Sequence, residues 1–264
     1  MQAFLHQCIS HLINQHGTEG MEKLCVVMPT RRSCHMLRYH LTQLRVKPLP
    51  KIDTIDDFVA ANTQMEVSSP IVLLLELFDV FRKIDPEIKL EKFTSWGYVL
   101  LKDFEQIDRN LIDAKKLFDN LSDIKNIERW NLGEQQVTNK ISRYFKLWEN
   151  LQETYEKFQE RLAFNGQAYM GMLYRKLADD TEEILIKEAP YEKYVFIGFN
   201  ALNKAEETIF KTLLKKGKAE VFWDADDYYM RDRIENKAGV FLKKYKKEWA
   251  GNTWSFQGSY LLNS

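Results

Sequence analysis

Residues 193–226, KYVFIGFNALNKAEETIFKTLLKKGKAEVFWDAD, constrain this chain more than any other stretch, because they spell one strand, helix, strand unit. Tyr194, Val195, Phe196 and Ile197 form a short apolar run of β-branched and aromatic residues, the pattern of a strand covered on both faces. Asn203 with Glu206 three residues on predicts a capping box. Leu202, Ala205, Ile209, Phe210, Leu213 and Leu214 then recur at helical spacing, and Gly217 supplies a stop. Ala219, Val221, Phe222 and Trp223 predict a second strand, and a crossover helix of this length makes the pair parallel and right-handed.

In open parallel sheets ligands gather outside the carboxyl ends of the strands. Gly198, Phe199 and Asn200 are expected on that rim after one strand, and Asp224, Asp226 and Asp227 after the other. A P-loop nucleotide hydrolase would end the first strand in an acid that holds magnesium and positions water. Gly198 and Phe199 stand there instead.

Lys plus Arg and Asp plus Glu both number 38 in 264 residues, so no net field draws the whole protein to nucleic acid or anionic membrane. Any such binding must come from a local patch. A hydrophobic content of 45% can build a real core. The opening MQAFLHQCISHLINQHG has no basic start, long apolar run or cleavage site, and no segment approaches the roughly 18 apolar residues of a membrane span. The expectation is a cytoplasmic protein that does not engage a membrane. Cys8, Cys25 and Cys34 have neither the number of a disulfide framework nor the paired spacing of a zinc site, and are expected to be reduced.

Taken in order, Phe4, Leu5, Cys8, Leu12 and Ile13 share a helical face that ends at HGTEG. Leu24 to Met28 predict a strand running into Pro29, Thr30, Arg31, Arg32 and Ser33, and helical spacing resumes at Met36, Leu37, Tyr39, His40, Leu41 and Leu44. Pro48 and Pro50 mark a loop, Ile52 to Ile55 a strand, and Thr54 with Asp57 caps a short helix, IDDFVAAN. From Pro70 to about Ile186 the pattern is amphipathic helix with no strand. One of these helices, VTNKISRYFKLWENLQETYEKFQERLAF, carries an aromatic face of Ile141, Tyr144, Phe145, Trp148, Leu151, Tyr155 and Phe158 that reads as core packing. The expected organisation is an α/β domain from residues 1–69 and 187–264 with an all-helical insertion at 70–186.

The blocks VVMPTRRSCHMLRYHL, LPKIDTIDDFVA and KYVFIGFNALNKAEETIFKTLLKKGKAEVFWDADDYY, with SWGYVLLKDFEQIDRNLIDAKKLFDNLSDIK between the second and third, resemble the N-terminal helicase-like half of AddB-type subunits of bacterial helicase-nucleases. The resemblance runs the length of the chain and is to the degenerate versions related to superfamily 1 helicases. It implies a parallel sheet of P-loop helicase-like type, with the first block just downstream of the nucleotide site and the third where an active helicase keeps its magnesium-binding acids. It also implies a role in double-strand-break repair by recombination, beside an AddA-like motor subunit. Many family members keep a GxxxxGK[ST] phosphate loop, which is missing here. The only Gly-Lys, Gly217-Lys218, is followed by Ala219 at a predicted helix C-terminus, where carbonyls rather than amides face out. No bound cofactor and no ATP hydrolysis are expected. The family's PD-(D/E)xK exonuclease domain is not recognisable either, since Glu87-Ile88-Lys89 lacks the preceding strand acid; if the natural protein is longer, the resemblance implies that this domain lies beyond Ser264.

Thr30, Arg31 and Arg32 are the candidate nucleic-acid-binding residues. They follow a strand at the rim and open a helix, so guanidinium groups and helix-start amides can meet one phosphate. The resembling segment of active helicases touches single-stranded DNA. The alternative is that these arginines are solvated or pair with Asp56 and Asp57, and the sequence leaves both open. The Asp224 cluster suggests a second class, a magnesium-dependent phosphotransferase or hydrolase, with helix capping as the competing explanation. Neither these acids nor His6, His11, His16, His35 and His40, whose spacing aligns on no single face, form an expected metal site. Lys211, Lys215, Lys216, Lys218 and Lys243 to Lys247 read as solvated helix faces before they read as phosphate contacts. The function expected is thus a non-catalytic DNA-binding and scaffold region, or else a pure protein-interaction module.

Overall fold

The computed structural model describes residues 4–121, 150–226, 237, 239–249 and 261–262. Its first elements are α1 (Phe4–His16), a 3-10 turn at Glu19–Lys23, β1 (Leu24–Met28), α2 (Arg31–Gln43), β2 (Lys51–Thr54) and α3 (Ile55–Ala61). Then come β3 (Glu66–Val67), α4 (Pro70–Phe81), α5 (Leu90–Arg109), α6 (Leu151–Phe164), β4 (Gln167–Ala168) and α7 (Met170–Asp179). The last are a π-helical turn at Glu183–Lys187, β5 (Lys193–Ile197), α8 (Lys204–Lys215), β6 (Ala219–Phe222), β7 (Ala225–Asp226), α9 (Val240–Trp249) and β8 (Leu261–Leu262). Two compact units divide them, one of residues 1–62 with 177–264 and one of residues 63–176.

The first unit is α/β. Its sheet has the order β2-β1-β5-β6, and every neighbouring pair is parallel. All of β1 and all but the first residue of β5 are buried, while the edge strands β2 and β6 are only partly so. Val195 and Ile197 join Val26, Met28 and the inward faces of α1 and α2 in one core. Tyr194 and Phe196 point to the opposite face, where Phe58 of α3 lies edge-on to both and Phe210 of α8 stacks on Phe196 at 3.7 Å. Each such side chain contributes about 1.5–3 kcal/mol by leaving water, so the doubly covered strands hold the sheet together.

Local chemistry sets the helix ends. Asn203 and Glu206 form the expected reciprocal capping box, and the Thr54 hydroxyl accepts from the Asp57 amide at 3.1 Å. After α8, Gly217 at φ +66° donates to the Leu214 carbonyl and Lys218 to that of Leu213, which is a Schellman ending. Helix α2 ends the same way, with Arg45 at φ 53° donating to Thr42 and Val46 to Leu41. An arginine therefore holds a left-handed position that glycine would occupy without strain.

Several expected boundaries change. The helical stretch was expected to hold no strand, yet Gln167–Ala168 pairs in parallel with Glu66–Val67. Two residues suffice because the Glu66 and Ser68 amides donate to the carbonyls of Gly166 and Ala168. The amphipathic helix predicted through to about Ile186 is interrupted, since α7 stops at Asp179 and a π-helical turn follows at Glu183–Lys187. Trp223 lies outside β6, and Ile55 begins α3 rather than ending β2. Of the long aromatic helix only Leu151–Phe164 is described, with Leu151, Tyr155, Phe158 and Leu162 buried, and Ile141 to Trp148 lie outside the described residues.

The second unit packs α4, α5 and α6 around Leu77, Phe81, Phe93, Phe104, Phe158 and Leu162. Gly171 of α7 meets α5 so closely that a Cβ would lie 2.7 Å from the Glu105 carbonyl oxygen. At this crossing Asp108 is completely buried. It accepts from the Tyr155 hydroxyl at 2.6 Å, Gln159 Nε2 at 2.9 Å, Arg175 Nε at 2.6 Å and the Tyr169 hydroxyl. A buried carboxylate with this many donors is strongly bound, and removing it strands Arg175 and two phenols. Burial, and then the Asp108 charge and hydrogen bonds, push both tyrosine hydroxyls above their ordinary range.

Asp108→Ala should lower unfolding stability by about 3–5 kcal/mol, read as a fall in urea midpoint. The native tyrosines keep their protons at a pH where the unfolded chain releases them. Stability is therefore fully present below about pH 10 and falls as pH rises beyond it, and Tyr155→Phe should blunt that alkaline loss in an unfolding titration.

Candidate nucleic-acid interface

The sheet's strand order reverses between β1 and β5. From β1 the chain passes through α2 to β2 on one side, and from β5 it passes through α8 to β6 on the other. Such a switch point leaves a crevice at the carboxyl ends of the two central strands. Val27 pairs with Phe196 there, which puts the segments beginning at Pro29 and Gly198 side by side.

Thr30 ends the β1 segment and caps α2. Its hydroxyl accepts from the Ser33 amide at 3.2 Å while the Ser33 hydroxyl receives the Thr30 amide at 3.2 Å, so the side chain expected to meet a ligand is engaged by its own helix. Arg31 is 84% exposed at its side chain and stands 3.9 Å from Asp57 Oδ1, a loose surface pair. Of the alternatives left open above, the pairing with Asp57 is therefore observed for Arg31. A pair so exposed is worth under about 1 kcal/mol and leaves the guanidinium available to an anion. Arg32 is exposed and makes no ion pair with a described residue. The three residues are contiguous but face apart, since successive helix positions turn by about 100°.

A cleft of about 180 Å³ opens beside Arg31, lined also by His35, Arg38, Asp53, Thr54 and Asp57. Arg38 Nη2 donates to the Ile52 carbonyl at 2.5 Å, which holds its guanidinium over β2. His35 and Arg38 are missing from the sequence-level site, although their spacing of four and seven from Arg31 is the signal that puts all three on one face. Thr54 Oγ1 donates to Asp57 Oδ2 at 2.7 Å and Asp53 pairs with Lys51 at 3.3 Å, so both cleft acids have protein partners.

The other rim residues behave differently from one another. Gly198 has φ +77°, which favours glycine, and Asn200 is exposed. Phe199 is buried against Phe196 and Phe210, so it belongs to the core rather than to a ligand rim. Trp223 is buried and stacks on Tyr245 of α9, whose hydroxyl accepts from the Leu202 amide at 2.9 Å. Asp224 is exposed beyond it, and its carboxyl is raised by local desolvation. Asp226 falls in β7, and Asp227 lies outside the described residues. Among the described residues no three His, Cys, Asp or Glu side chains gather to hold a metal ion.

Many of the lysines are occupied. Glu207 is buried and receives Lys204, Lys211 and Lys244; burial works against its carboxylate, but Lys211 above all holds it below the ordinary range. Lys216 pairs with Glu182 at 2.8 Å. Cys8, Cys25 and Cys34 are free and buried, and burial raises all three thiols.

The fold and rim together define an α/β protein whose four-stranded parallel sheet offers an arginine-bearing helix start at its switch point. The chain matches no protein-family model and no curated protein. Among the described residues no helix is long and apolar enough to cross a membrane.

Thr30→Ala should cost about 0.5–2 kcal/mol through loss of the cap, seen as a lower urea midpoint at unchanged slope. A loss of DNA binding without that stability cost would instead assign the hydroxyl to ligand contact.

Proposed function

We propose that this chain is a non-hydrolysing, DNA-holding region of helicase-like type, from an AddB-type helicase-nuclease subunit that acts in double-strand-break repair beside an AddA-like motor. In this reading the first unit is the degenerate P-loop-like domain and residues 63–176 are its helical insertion. The observation that carries it is topological. The three quoted blocks supply β1, β2, β5 and β6, and the first and third lie next to each other at the switch point. The phosphate-holding role then falls to Arg31 and Arg32 at the start of α2, beside a rim where β5 ends at Ile197 and is followed by Gly198 rather than an acid.

Without a phosphate loop, and with Gly198 rather than an acid after β5, the chemistry this reading gives the site is electrostatic. Arginines at a helix start can neutralise backbone phosphates and release their counterions, which fixes register without turnover. Holding DNA for a nuclease domain and a motor elsewhere in the assembly needs no more than this.

Binding is tested by fluorescence anisotropy of the 264-residue chain with labelled DNA across a salt series. Arg31→Ala with Arg32→Ala should weaken binding and reduce the log-log salt slope by about 1–2. Asp57→Asn, which frees Arg31 from its pair, should strengthen it by less than about tenfold. Unchanged affinity and slope in the double variant would remove the reading. Magnesium-dependent turnover of a phosphate ester, abolished by Asp224→Asn, would put the phosphotransferase alternative in its place.

A further inference from the structure

Helix α4, PIVLLLELFDVF, is apolar nearly all the way round, with Glu76 and Asp79 as its only charged residues. A helix of that kind is built to be covered on both sides. One side is covered, since Leu73, Leu74, Leu77, Val80 and Phe81 are buried in the core of the second unit. On the other side Ile71, Val72 and Leu75 are exposed, Ile71 at 64%. Val67 of β3 is exposed just before the helix begins.

The end of α6 completes this surface. Glu66 and Ser68, before α4, donate to the Gly166 and Ala168 carbonyls, after α6, so the two helices run antiparallel. Arg161 of α6 donates to both acids of α4, to Asp79 Oδ2 at 3.2 Å and to Glu76. Phe164 stands three positions beyond Arg161 on its helical face, and Val72 four positions before Glu76 on its own. In an antiparallel pair both steps lead the same way, which sets Phe164 level with Val72. Phe164 is 92% exposed, in a turn that the Gly166 amide closes by donating to the Ala163 carbonyl at 3.0 Å. A projecting aromatic beside an apolar helix face is the pattern of an interface anchor, unlike an exposed apolar residue standing alone.

We propose that this face is a self-association surface, on which Phe164 of each copy packs against Ile71, Val72 and Leu75 of the other. The proposal goes beyond the DNA reading and uses none of its residues. A twofold contact needs one patch that carries both the projecting and the receiving part, and this patch carries both. With Val67 the five apolar residues expose roughly 500 Å², so two copies bury about 1,000 Å², where a specific interface begins before its polar border is counted. The acids beside the patch are neutralised within each copy, Glu76 and Asp79 by Arg161 and Asp79 also by Arg82 at 4.0 Å. Two images can therefore meet there without unpaired like charges. The same acids, with the exposed Glu66, disfavour nucleic acid or an anionic membrane, both of which call for a basic border.

The test is sedimentation velocity of the 264-residue chain over a micromolar concentration series, with the parent, Phe164→Ser, Ile71→Ser and Tyr39→Ser. The parent should pass from monomer to dimer as concentration rises. Phe164→Ser and Ile71→Ser should each weaken dimerisation by about tenfold or more. Tyr39→Ser alters an exposed aromatic on α2 of the first unit and should dimerise like the parent. Both patch sites are exposed, so thermal melts of dilute, monomeric samples should match the parent and separate lost association from lost folding. A parent that stays monomeric throughout overturns the proposal and leaves the face to a different protein. A dimer whose dissociation constant neither patch variant changes also overturns it, because that dimer uses another surface.

Discussion

The pairing of β1 with β5 is the contact on which the first unit depends. Leu24 to Val27 and Lys193 to Phe196 stand far apart in sequence, yet their strands are central, parallel and almost wholly buried. A parallel pair cannot close through a hairpin and earns its stability from cover on both faces. α1 and α2 supply one cover, and Phe58 and Phe210 supply the other. Once that pair forms, the strand order reverses there, and the segment after β1 comes to the rim beside the one after β5.

Charge is distributed with the same economy. The chain as a whole is neutral, but its acids and bases are not mixed evenly. Glu207 gathers three lysines between α8 and α9, and Asp108 gathers two tyrosines, a glutamine and an arginine in the second unit. These groups stabilise packing and have little left for a ligand. α2 lacks acids of its own, so its cations depend on Asp53 and Asp57 from the next segment and remain largely at the surface. A net-charge argument misses such a surface because it averages over both kinds.

The elements legible in the sequence are those with a strong local cause. The apolar run at Tyr194 to Ile197, the Asn203 box, the Thr54 cap and the Gly217 stop each appear where their chemistry puts them. The short strand at Gln167–Ala168 was not legible, since two residues carry no period and its partner lies a hundred positions away. At the candidate interface, Thr30 to Arg32 could be located by the strand-to-helix junction. His35 and Arg38 could not be ranked with them, because which helical face stays outside is settled by what the opposite face buries.

By itself, then, the sequence determined the class of the first unit, the kinds of its helix ends and the absence of a phosphate loop. These follow from side-chain period and from short-range hydrogen bonds, both of which act within a few residues. Only the tertiary structure decided that β1 lies against β5, that Phe199 turns into the core and that Thr30 is taken up by its own cap. Those outcomes depend on which faces are covered by residues distant in the chain, and burial of that kind is set by packing rather than by any local pattern.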